Sequence, residues 1–344
     1  MGVTFSQFFP PTPTLTEKNL PSQKSKVFII TGGTSGVGLE LATILYRAGG
    51  KVYIAGRSEA SAQKCIKHIK ASSTTKLPGQ LEYLPLELGD LSKIKASAES
   101  FMKKESKLDV LWNNAGVSQP ALGSVSKQGF ELQMATNCLG PFLFTQYLLP
   151  CLKAAAKEST PGAIRVVWTH SQFSELTAPK DGIIMSDLDT PPRDQVKNYN
   201  NSKTGNWFLA SELTKEVGEF GILSVSQNPD NLKTNLMRNA KSMYYAAWPL
   251  LYKARMGAYT ELWAGLSEGL NMENNGACVV PWGRIHPGPR QDLLLALKSS
   301  DEGGSGTAKK FWDWCEGKTA VQINDAPGKF CIGLSNSRCS KLIV

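Results

Sequence analysis

The sequence predicts a doubly wound α/β domain, in which a parallel β-sheet lies between two layers of helices. Short runs of β-branched and aromatic residues alternate with amphipathic helical segments along most of the chain, and this alternation requires crossover connections between parallel strands. Near the start, a strand at 27–30, a glycine-rich turn at 31–38, a helix that stops at 49–50 and a strand at 51–55 form a βαβ unit.

The glycine-rich turn is the segment around which the rest of the chain is organised. It lies where a helix begins, and the free N–H groups and positive dipole end of a helix N-terminus favour an anion. Gly32 permits a tight turn, Gly36 lets a pyrophosphate approach the backbone, and Gly38 lets the helix pack on the sheet. Taken alone, the segment is also compatible with a turn that binds no ligand.

The later elements follow from hydrophobic periodicity and from turn residues. Asp90 or Ser92 caps an amphipathic helix, and Gly-Pro-Phe at 140–142 should interrupt or kink a long one. Another long helix is predicted to begin at about Tyr199. The remaining elements, in chain order, are a helix at 58–71, strands at 81–88, 108–116 and 163–171, an irregular segment at 172–198, a strand at 222–230, a helix at 255–270 and a strand at 277–281.

Composition limits the class of protein. The chain has 344 residues, of which 41% are hydrophobic, so it can bury a large core as one extended domain. It contains no run of about 18 uncharged apolar residues and no signal-peptide pattern. Its seven cysteines are scattered, which indicates reduced intracellular thiols. We therefore expect a cytoplasmic protein, with peripheral membrane association as an alternative.

Charge and histidine content argue against two kinds of partner. The net charge of +9 is moderate and the lysines are dispersed, which favours a solvated surface and a pocket for a phosphate-rich cofactor over a nucleic-acid groove. His68, His170 and His286 lie far apart in the sequence, so no metal site is expected. A homo-oligomer is compatible with the sequence.

Three regions are expected along the chain. Residues 1–24 contain four prolines and little periodicity, and they are predicted to form an extended arm, laid on the surface or loose. Residues 25–285 form the α/β domain. Residues 286–344 form a C-terminal extension, and its tryptophans at 312 and 314 are expected to help it cap the core.

Tyr199 and Lys203 are the residues that first suggest chemistry. They lie four positions apart, so on a helix they share one face. A free tyrosine titrates near pH 10, and a cation within about 4–6 Å lowers the pKa of an acid by roughly 1–3 units. A neighbouring ammonium should therefore bring the Tyr199 phenol toward the working range of a general acid–base. The spacing alone is common on exposed helix faces, where it carries no chemistry.

Four other features accompany this pair in sequence order: the glycine-rich turn, Asn-Asn-Ala-Gly at 113–116, Asn137 on the following helix, and Ser171 at the end of the fifth strand. With these elements the chain resembles the short-chain dehydrogenase/reductase family over about residues 25–285. Segments 283–297 and 309–317 resemble the C-terminal region of fungal members related to retinol dehydrogenases and protochlorophyllide reductases. The resemblance implies a Rossmann-type, dinucleotide-binding oxidoreductase.

The resemblance implies a role for each catalytic candidate. Tyr199 would donate or accept the proton of the substrate oxygen, and Lys203 would bind the nicotinamide ribose and lower the pKa of Tyr199. Ser171 would hydrogen-bond the substrate oxygen, and Asn137 would hold a water in a proton relay. His170 precedes Ser171 on a strand, so its side chain should face away from the cleft.

The form of the cofactor is predicted from the end of the second strand. Family members that use NAD have an acidic residue there, whereas this chain has Gly56 followed by Arg57. A carboxylate would repel a 2′-phosphate and a guanidinium pairs with it, so NADP(H) is favoured. The residues that the resemblance assigns to the cofactor are Thr31, Gly32, Ser35, Gly36, Val37, Gly38, Arg57, Glu87, Leu88, Asn113, Ala115, Gly116, Tyr199, Lys203, Pro229 and Thr234.

Asp230 is the clearest departure from the family pattern. After the sixth strand the family has Pro-Gly and then a threonine near the nicotinamide amide, whereas this chain has Pro229, Asp230 and Thr234. Aspartate tolerates turn conformations nearly as well as glycine, so the turn can form. Its carboxylate would, however, place a negative charge beside the phosphate-rich cofactor and weaken binding.

Residues 231–256 occupy the position of the family's substrate loop, and we call them the substrate-loop segment. Three interpretations remain open: a lid over an apolar carbonyl substrate, which is favoured, a helix packed on the sheet, or contact with a membrane surface. The apolar residues of the segment are Met237, Met243, Tyr244, Tyr245, Trp248, Leu250, Leu251 and Tyr252.

The main functional hypothesis is an NADP(H)-dependent oxidoreductase that interconverts a carbonyl and an alcohol on an apolar small molecule, acting as a ketone or aldehyde reductase. The rival hypothesis is a cofactor-binding sensor or scaffold without turnover. The joint presence of the four catalytic candidates argues against the rival, because a binding module does not need all of them.

Overall fold

A mostly parallel sheet runs through the centre of the computed structural model, which describes residues 2–239, 245 and 248–324. The strands, in chain order, are β1 (Val27–Thr31), β2 (Lys51–Gly56), β3 (Gln80–Pro85), β4 (Val110–Asn113), β5 (Ile164–Thr169), β6 (Ile222–Gln227), β7 (Leu232–Lys233), β8 (Tyr252–Lys253), β9 (Cys278–Val280) and β10 (Arg284–Ile285). In the described residues, the central sheet has the order β10-β9-β6-β5-β4-β1-β2-β3, with β10 antiparallel to β9, and β7 pairs with β8 separately. This order confirms the predicted doubly wound class.

Helices cover both faces of the sheet. In chain order they are α1 (Gly2–Phe8), α2 (Gly36–Arg47), α3 (Glu59–Ala71), α4 (Leu91–Met102), α5 (Leu132–Met134), α6 (Gly140–Ala156), α7 (Phe173–Thr177), α8 (Ser186–Asp189), α9 (Gln195–Val217), α10 (Ala254–Leu266), α11 (Gln291–Leu297) and α12 (Thr307–Asn324). The side chains of α2, α3 and α10 pack on one face, and those of α4, α6 and α9 pack on the other. The fold is therefore the predicted three-layer, Rossmann-like arrangement.

Strand β1 shows how the sequence fills both layers. Successive side chains of a strand point to opposite faces, so Ile29 packs with α4, α6 and α9 while Phe28 and Ile30 pack with α2, α3 and α10. All three side chains are fully buried. A strand that is apolar on both faces is typical of the middle of a parallel sheet.

Helix α9, which carries Tyr199, begins four residues earlier than predicted. Its start is fixed by Asp194, whose side chain accepts hydrogen bonds from the backbone N–H groups of Val196 and Lys197 at 2.9 and 3.0 Å. Such a cap satisfies donors that the first helical turn would otherwise leave unpaired. Residues 172–198, predicted to be irregular, also contain the short helices α7 and α8.

The predicted interruption near 140–142 takes a different form. Helix α5 passes through a π-helical turn, Ala135–Leu139, directly into α6. Pro141 stands in the first turn of α6. The extra residue of the π-helical turn disturbs the regular ladder of backbone bonds at the point where the proline N–H is missing, so the chain continues without a break.

The C-terminal extension packs against α9 and α6. The ring of Phe311 on α12 lies 6.4 Å from that of Phe208 on α9, and the ring of Trp312 lies 4.9 Å from that of Phe142 on α6. These contacts bury apolar surface of both core helices. Residues 325–344 lie outside the described residues.

The N-terminal arm is helical at its start, where the sequence predicted an extended segment. Helix α1 docks on the domain: the Tyr252 hydroxyl donates to the Phe8 carbonyl at 3.0 Å, and Arg284 Nη2 donates to the Ser6 carbonyl at 2.8 Å. The prediction was wrong for residues 2–8 because tertiary contacts, and not a periodic pattern, hold this helix.

Two further findings concern membranes and thiols. In the part of the chain that the structure describes, no helix combines the length and apolarity needed to span a bilayer. The described cysteines, Cys65, Cys138, Cys151, Cys278 and Cys315, are all free thiols.

Candidate active site

Helix α9 brings Tyr199 and Lys203 together beside β5. Both residues are buried, with 8% and 2% of their surface exposed. The Lys203 Nζ lies 5.8 Å from the centre of the Tyr199 ring. It donates a 3.0 Å hydrogen bond to the backbone carbonyl of Thr169, the last residue of β5. The four-residue spacing thus places phenol and ammonium on one face, as expected.

Ser171 joins this pair from the end of β5. Its side chain lies close enough to Tyr199 to favour the phenolate, and its Oγ accepts a 3.3 Å bond from the N–H of Phe173 at the start of α7. His170 faces elsewhere, with its ring stacked 5.7 Å from that of Trp207. The two neighbours are therefore separated as predicted, although β5 ends at Thr169, so both lie beyond the strand and its alternation is not the cause.

The pKa of Tyr199 moves in the direction opposite to that expected from the lysine. Burial raises the pKa of Tyr199 to about 12, and the nearby Ser171 hydroxyl, which favours the phenolate, offsets this only in part. Burial also lowers the pKa of Lys203 to about 8, because an ammonium is costly in this water-poor place. Desolvation is thus the largest influence on both pKa values, and the phenol is protonated at neutral pH.

Asn137 lies in the π-helical turn, next to the pair. Its Oδ1 accepts from the Val117 N–H at 2.8 Å, and its Nδ2 donates to the Val117 carbonyl at 3.0 Å and to the Ser202 hydroxyl at 2.9 Å. A Cβ on Gly116 would lie 3.4 Å from Asn137 Oδ1 and 3.3 Å from Lys203 Nζ, so Gly116 separates the two residues. Single π-helical turns are frequent at functional sites.

The glycine-rich turn leads into α2 with features that fit a pyrophosphate. Gly36 has a φ of +57°, and a Cβ there would come within 3.4 Å of the Thr234 methyl group, so turn and threonine face each other. A Cβ on Gly38 would lie 2.9 Å from the Gly32 carbonyl oxygen, a steric clash that only glycine avoids. The Ser35 side chain does not cap α2, so N–H groups of its first turn are left for an anion.

Asn113, the last residue of β4, and Asn114, which follows it, bond to different parts of the fold. Asn113 Nδ2 donates to the Thr145 hydroxyl of α6 at 3.0 Å, whereas Asn114 Nδ2 donates to the Thr31 carbonyl at 2.7 Å. The Thr31 hydroxyl in turn accepts from the Ala115 N–H at 2.9 Å. Asn114, which the sequence did not single out, thus holds the glycine-rich turn, and the side chain of Asn113 faces α6.

The remaining cofactor candidates follow the carboxyl ends of neighbouring strands, which meet at one edge of a parallel sheet. Arg57 comes directly after β2 and is exposed. Glu87 follows β3 by two residues, and its Oε1 accepts from the Gly89 N–H at 3.3 Å. Leu88 and Val37 are buried.

The fold accommodates the departure at Asp230. Its φ is +85°, the left-handed conformation that glycine usually provides. Its N–H donates to Asn228 Oδ1 at 3.1 Å, and its Oδ1 accepts from the Asn231 N–H at 2.6 Å. Burial raises the pKa of Asp230 to about 7, so the negative charge expected after Pro229 is only partly present at neutral pH.

The substrate-loop segment is described in part. Its ends are anchored by the pairing of β7 with β8, Leu251 is buried, and the Tyr252 ring meets that of Trp282 edge-on at 4.8 Å. Tyr245, Trp248 and Leu250 are exposed. These exposed residues leave the lid and membrane interpretations open. Met243 and Tyr244 lie outside the described residues.

A polar cluster absent from the sequence prediction joins the arm to the same edge of the sheet. His286 Nε2 lies 2.8 Å from Glu175 Oε1. Gln7, which is 1% exposed, donates to Glu175 Oε2 at 2.8 Å and accepts from Asn228 Nδ2 at 3.1 Å. Burial alone would raise the pKa of Glu175, because it disfavours the carboxylate. The hydrogen bonds from His286 and Gln7 favour the carboxylate more strongly, so the pKa of Glu175 is lowered. The arm is thus tied to α7, which follows β5, and to the turn that follows β6.

Replacing Gln7 by leucine is expected to lower the free energy of unfolding by about 1–3 kcal/mol, because Glu175 and Asn228 would lose a buried partner. Urea denaturation followed by circular dichroism measures this change. Thr4→Ala, on the exposed side of α1, serves as the control and should leave the midpoint unchanged. Equal stability of the two variants would contradict the docked arm.

Three residues that build this site were missed from the sequence. Asn114 had a signal, since it belongs to the Asn-Asn-Ala-Gly motif. Thr169 anchors Lys203 through its backbone carbonyl, which leaves no mark in a residue pattern. Gln7 meets partners 168 and 221 positions away, which local periodicity does not encode.

Known proteins share this fold and sequence pattern. A family model described as short chain dehydrogenase matches residues 26–181. The chain is 45% identical over 317 residues to the short-chain dehydrogenase/reductase iacJ of Pestalotiopsis fici, covering 91% of this chain and 96% of that protein. A solved structure of a putative uncharacterized protein from Mycobacterium paratuberculosis has a TM-score of 0.64 at 26% identity, covering 89% of this chain and 97% of that one. The solved structure of a 3-ketoacyl-(acyl-carrier-protein) reductase from Brucella melitensis, complexed with NADH, has a TM-score of 0.58 at 21% identity. The match covers 75% of this chain and 96% of that one.

Fold and sequence relationship together define the class as oxidoreductases that use a nicotinamide cofactor and act on small molecules. The chain belongs to the short-chain dehydrogenase/reductase family.

Proposed function

We propose that the protein interconverts a carbonyl and an alcohol on an apolar small molecule, with NADP(H) as cofactor and Tyr199 as general acid–base. The observation that carries the proposal is the buried phenol of Tyr199, with the Ser171 side chain beside it and the Lys203 ammonium 5.8 Å from its ring. A phenol, a hydroxyl and a cation that lie close together are groups able to transfer a proton to a carbonyl oxygen.

The chain's own residues perform the proton chemistry. Ser171 orients the substrate oxygen by a hydrogen bond, and the Tyr199 hydroxyl gives its proton to that oxygen in reduction and takes it back in oxidation. Lys203 stabilises the phenolate that remains. Because the phenol is protonated at neutral pH, the site is prepared for reduction. The nicotinamide dinucleotide supplies the hydride when bound.

The cofactor is held by the residues around the start of α2 and after β2. The uncapped first turn of α2 and the close approach of Gly36 to Thr234 suit a pyrophosphate and its flanking riboses. Arg57 is exposed directly after β2, and β2 ends in Gly56, so no carboxylate at the end of this strand repels a 2′-phosphate. These features favour NADP(H) over NAD(H).

Arg57→Asp is expected to raise KM for NADPH by roughly 10- to 100-fold, because hydrogen bonds to a charged group contribute about 1.5–3 kcal/mol, and to improve use of NADH. Steady-state kinetics with both cofactors measure the change. Lys67→Asp, an exposed residue of α3 with the same change in charge, should have little effect. An unchanged preference in Arg57→Asp would remove the argument for a 2′-phosphate.

The substrate class follows from the apolar substrate-loop segment. Exposed Trp248 and Leu250, beside buried Leu251, offer an apolar surface between β7 and β8. The purified protein should therefore oxidise NADPH in the presence of aromatic ketones, aldehydes or retinoids. Failure to turn over any member of such a panel, with NADPH binding intact, would contradict the catalytic proposal.

A further inference from the structure

A fully buried carboxyl lies behind the candidate site and has no role in the mechanism described so far. Glu261 of α10 is 0% exposed. Its Oε1 accepts hydrogen bonds from the Thr169 hydroxyl and from Gln227 Nε2, both at 3.3 Å. Gln227 Nε2 also donates to the Thr169 hydroxyl at 2.8 Å. Three polar side chains from α10, β5 and β6 thus meet in the interior.

Thr169 links this cluster to the catalytic lysine. Its side chain contacts Glu261, while its backbone carbonyl accepts from Lys203 Nζ at 3.0 Å and from Asn206 Nδ2 at 2.8 Å. Lys203 and Glu261 therefore bond to opposite ends of one residue. A displacement of Thr169 would move the point to which the ammonium is attached.

A buried carboxyl is costly unless a cation or hydrogen bonds compensate it. In the described residues, Glu261 Oε2 has no hydrogen-bond partner. The ionisable groups on the elements around the cluster include Tyr199 and Lys203 of α9, Cys138 of the π-helical turn, Arg165 of β5, His170 after β5, and Arg255 of α10.

Of the cations in this set, Lys203 is the one that can compensate the charge of Glu261. Arg165 donates to the backbone carbonyls of Ala264 and Ser267, and Arg255 forms ion pairs at the other end of α10. Burial lowers the pKa of His170 to about 3, so its ring is neutral. Burial raises the pKa of Glu261 to about 8 and lowers that of Lys203 to about 8, and each group favours the charged form of the other.

We propose that Glu261 is a positioning residue for the reaction: through Thr169 it fixes the place of the Lys203 ammonium, and as its carboxyl ionises it keeps that ammonium charged at higher pH. The proposal rests on the proposed function, since Lys203 has to be charged to stabilise the Tyr199 phenolate. A carboxyl that merely packs α10 on the sheet would contribute to stability without affecting the lysine.

The test compares Glu261→Gln with Thr260→Val, an adjacent and equally buried residue of α10. In cofactor-free protein, the titration midpoint of Lys203 is read by carbon-13 NMR of labelled lysine, with Lys203→Met for assignment. The midpoint is expected to fall by about one unit in Glu261→Gln, and to stay in place in Thr260→Val. The alkaline limb of the pH profile of kcat/KM should move by the same amount, which is a loss of about tenfold on that limb.

Each outcome decides the question. An unchanged Lys203 midpoint in Glu261→Gln overturns the proposal, and so does a shifted midpoint with an unmoved pH profile. Should wild-type protein show no turnover at all, the proposed function fails, while the NMR titration still decides whether Glu261 controls the lysine. Should Glu261→Gln not fold, Thr169→Val removes the hydroxyl that bonds Glu261 and Gln227 but keeps the backbone carbonyl that accepts from the lysine, and the midpoint is expected to fall by a smaller amount.

Discussion

Replacing Tyr199 by phenylalanine is expected to lower kcat by about 10²- to 10⁴-fold, the range that a positioned general acid–base contributes. The substitution removes one hydroxyl from a buried residue and keeps the ring that packs beside α7. Binding of NADPH should therefore survive, because the lost group acts on the substrate oxygen. Stopped-flow oxidation of NADPH separates the chemical step from binding.

Tyr53→Phe is a matched control for this prediction. Tyr53 is also buried, and its hydroxyl donates to Glu105 at 2.7 Å, but it lies in β2 away from the site. Its loss should leave kcat unchanged. If Tyr199→Phe behaves like Tyr53→Phe, the phenol of Tyr199 is not the proton donor.

Replacing Lys203 by methionine is expected to lower kcat/KM by at least about 10²-fold, because the phenolate of Tyr199 would lose the cation that stabilises it. Methionine keeps the length of the side chain and removes the charge. The backbone carbonyl of Thr169 would also lose its 3.0 Å donor. Steady-state kinetics give the loss, and quenching of protein fluorescence by NADPH gives the change in cofactor affinity.

The control for this substitution is Lys215→Met, at an exposed position near the other end of α9. It makes the same chemical change on the same helix and should leave kcat/KM near the wild-type value. Equal activities of Lys203→Met and Lys215→Met would mean that the lysine of the motif is structural.

The sequence predicted the parts of the fold that depend on local pattern. The βαβ unit at the start was visible because β-branched runs, glycines and an amphipathic helix follow one another within a short segment, and Tyr199 and Lys203 were found because one helical turn joins them. The fold class followed from the alternation of strands and helices, since parallel strands need crossover connections.

What the sequence could not predict depends on contacts between distant residues. Burial determines that the pKa of Tyr199 is shifted upward from its ordinary value, and only the packed structure reveals this burial. In the sequence, Glu261 resembles an ordinary exposed helix residue. The structure shows that its side chain is fully buried where α10 packs on the sheet. The departure at Asp230 was visible in the sequence. Only the structure shows how the fold accommodates it, with a left-handed backbone conformation and a carboxyl whose pKa is raised by burial.

A crystal structure of the protein with NADP⁺ and a carbonyl-containing inhibitor tests the central claim most directly. The account predicts that the inhibitor oxygen lies within about 2.6–3.2 Å of the Tyr199 hydroxyl and also accepts a hydrogen bond from Ser171. An inhibitor oxygen seated over the nicotinamide ring but beyond the reach of Tyr199 would contradict it.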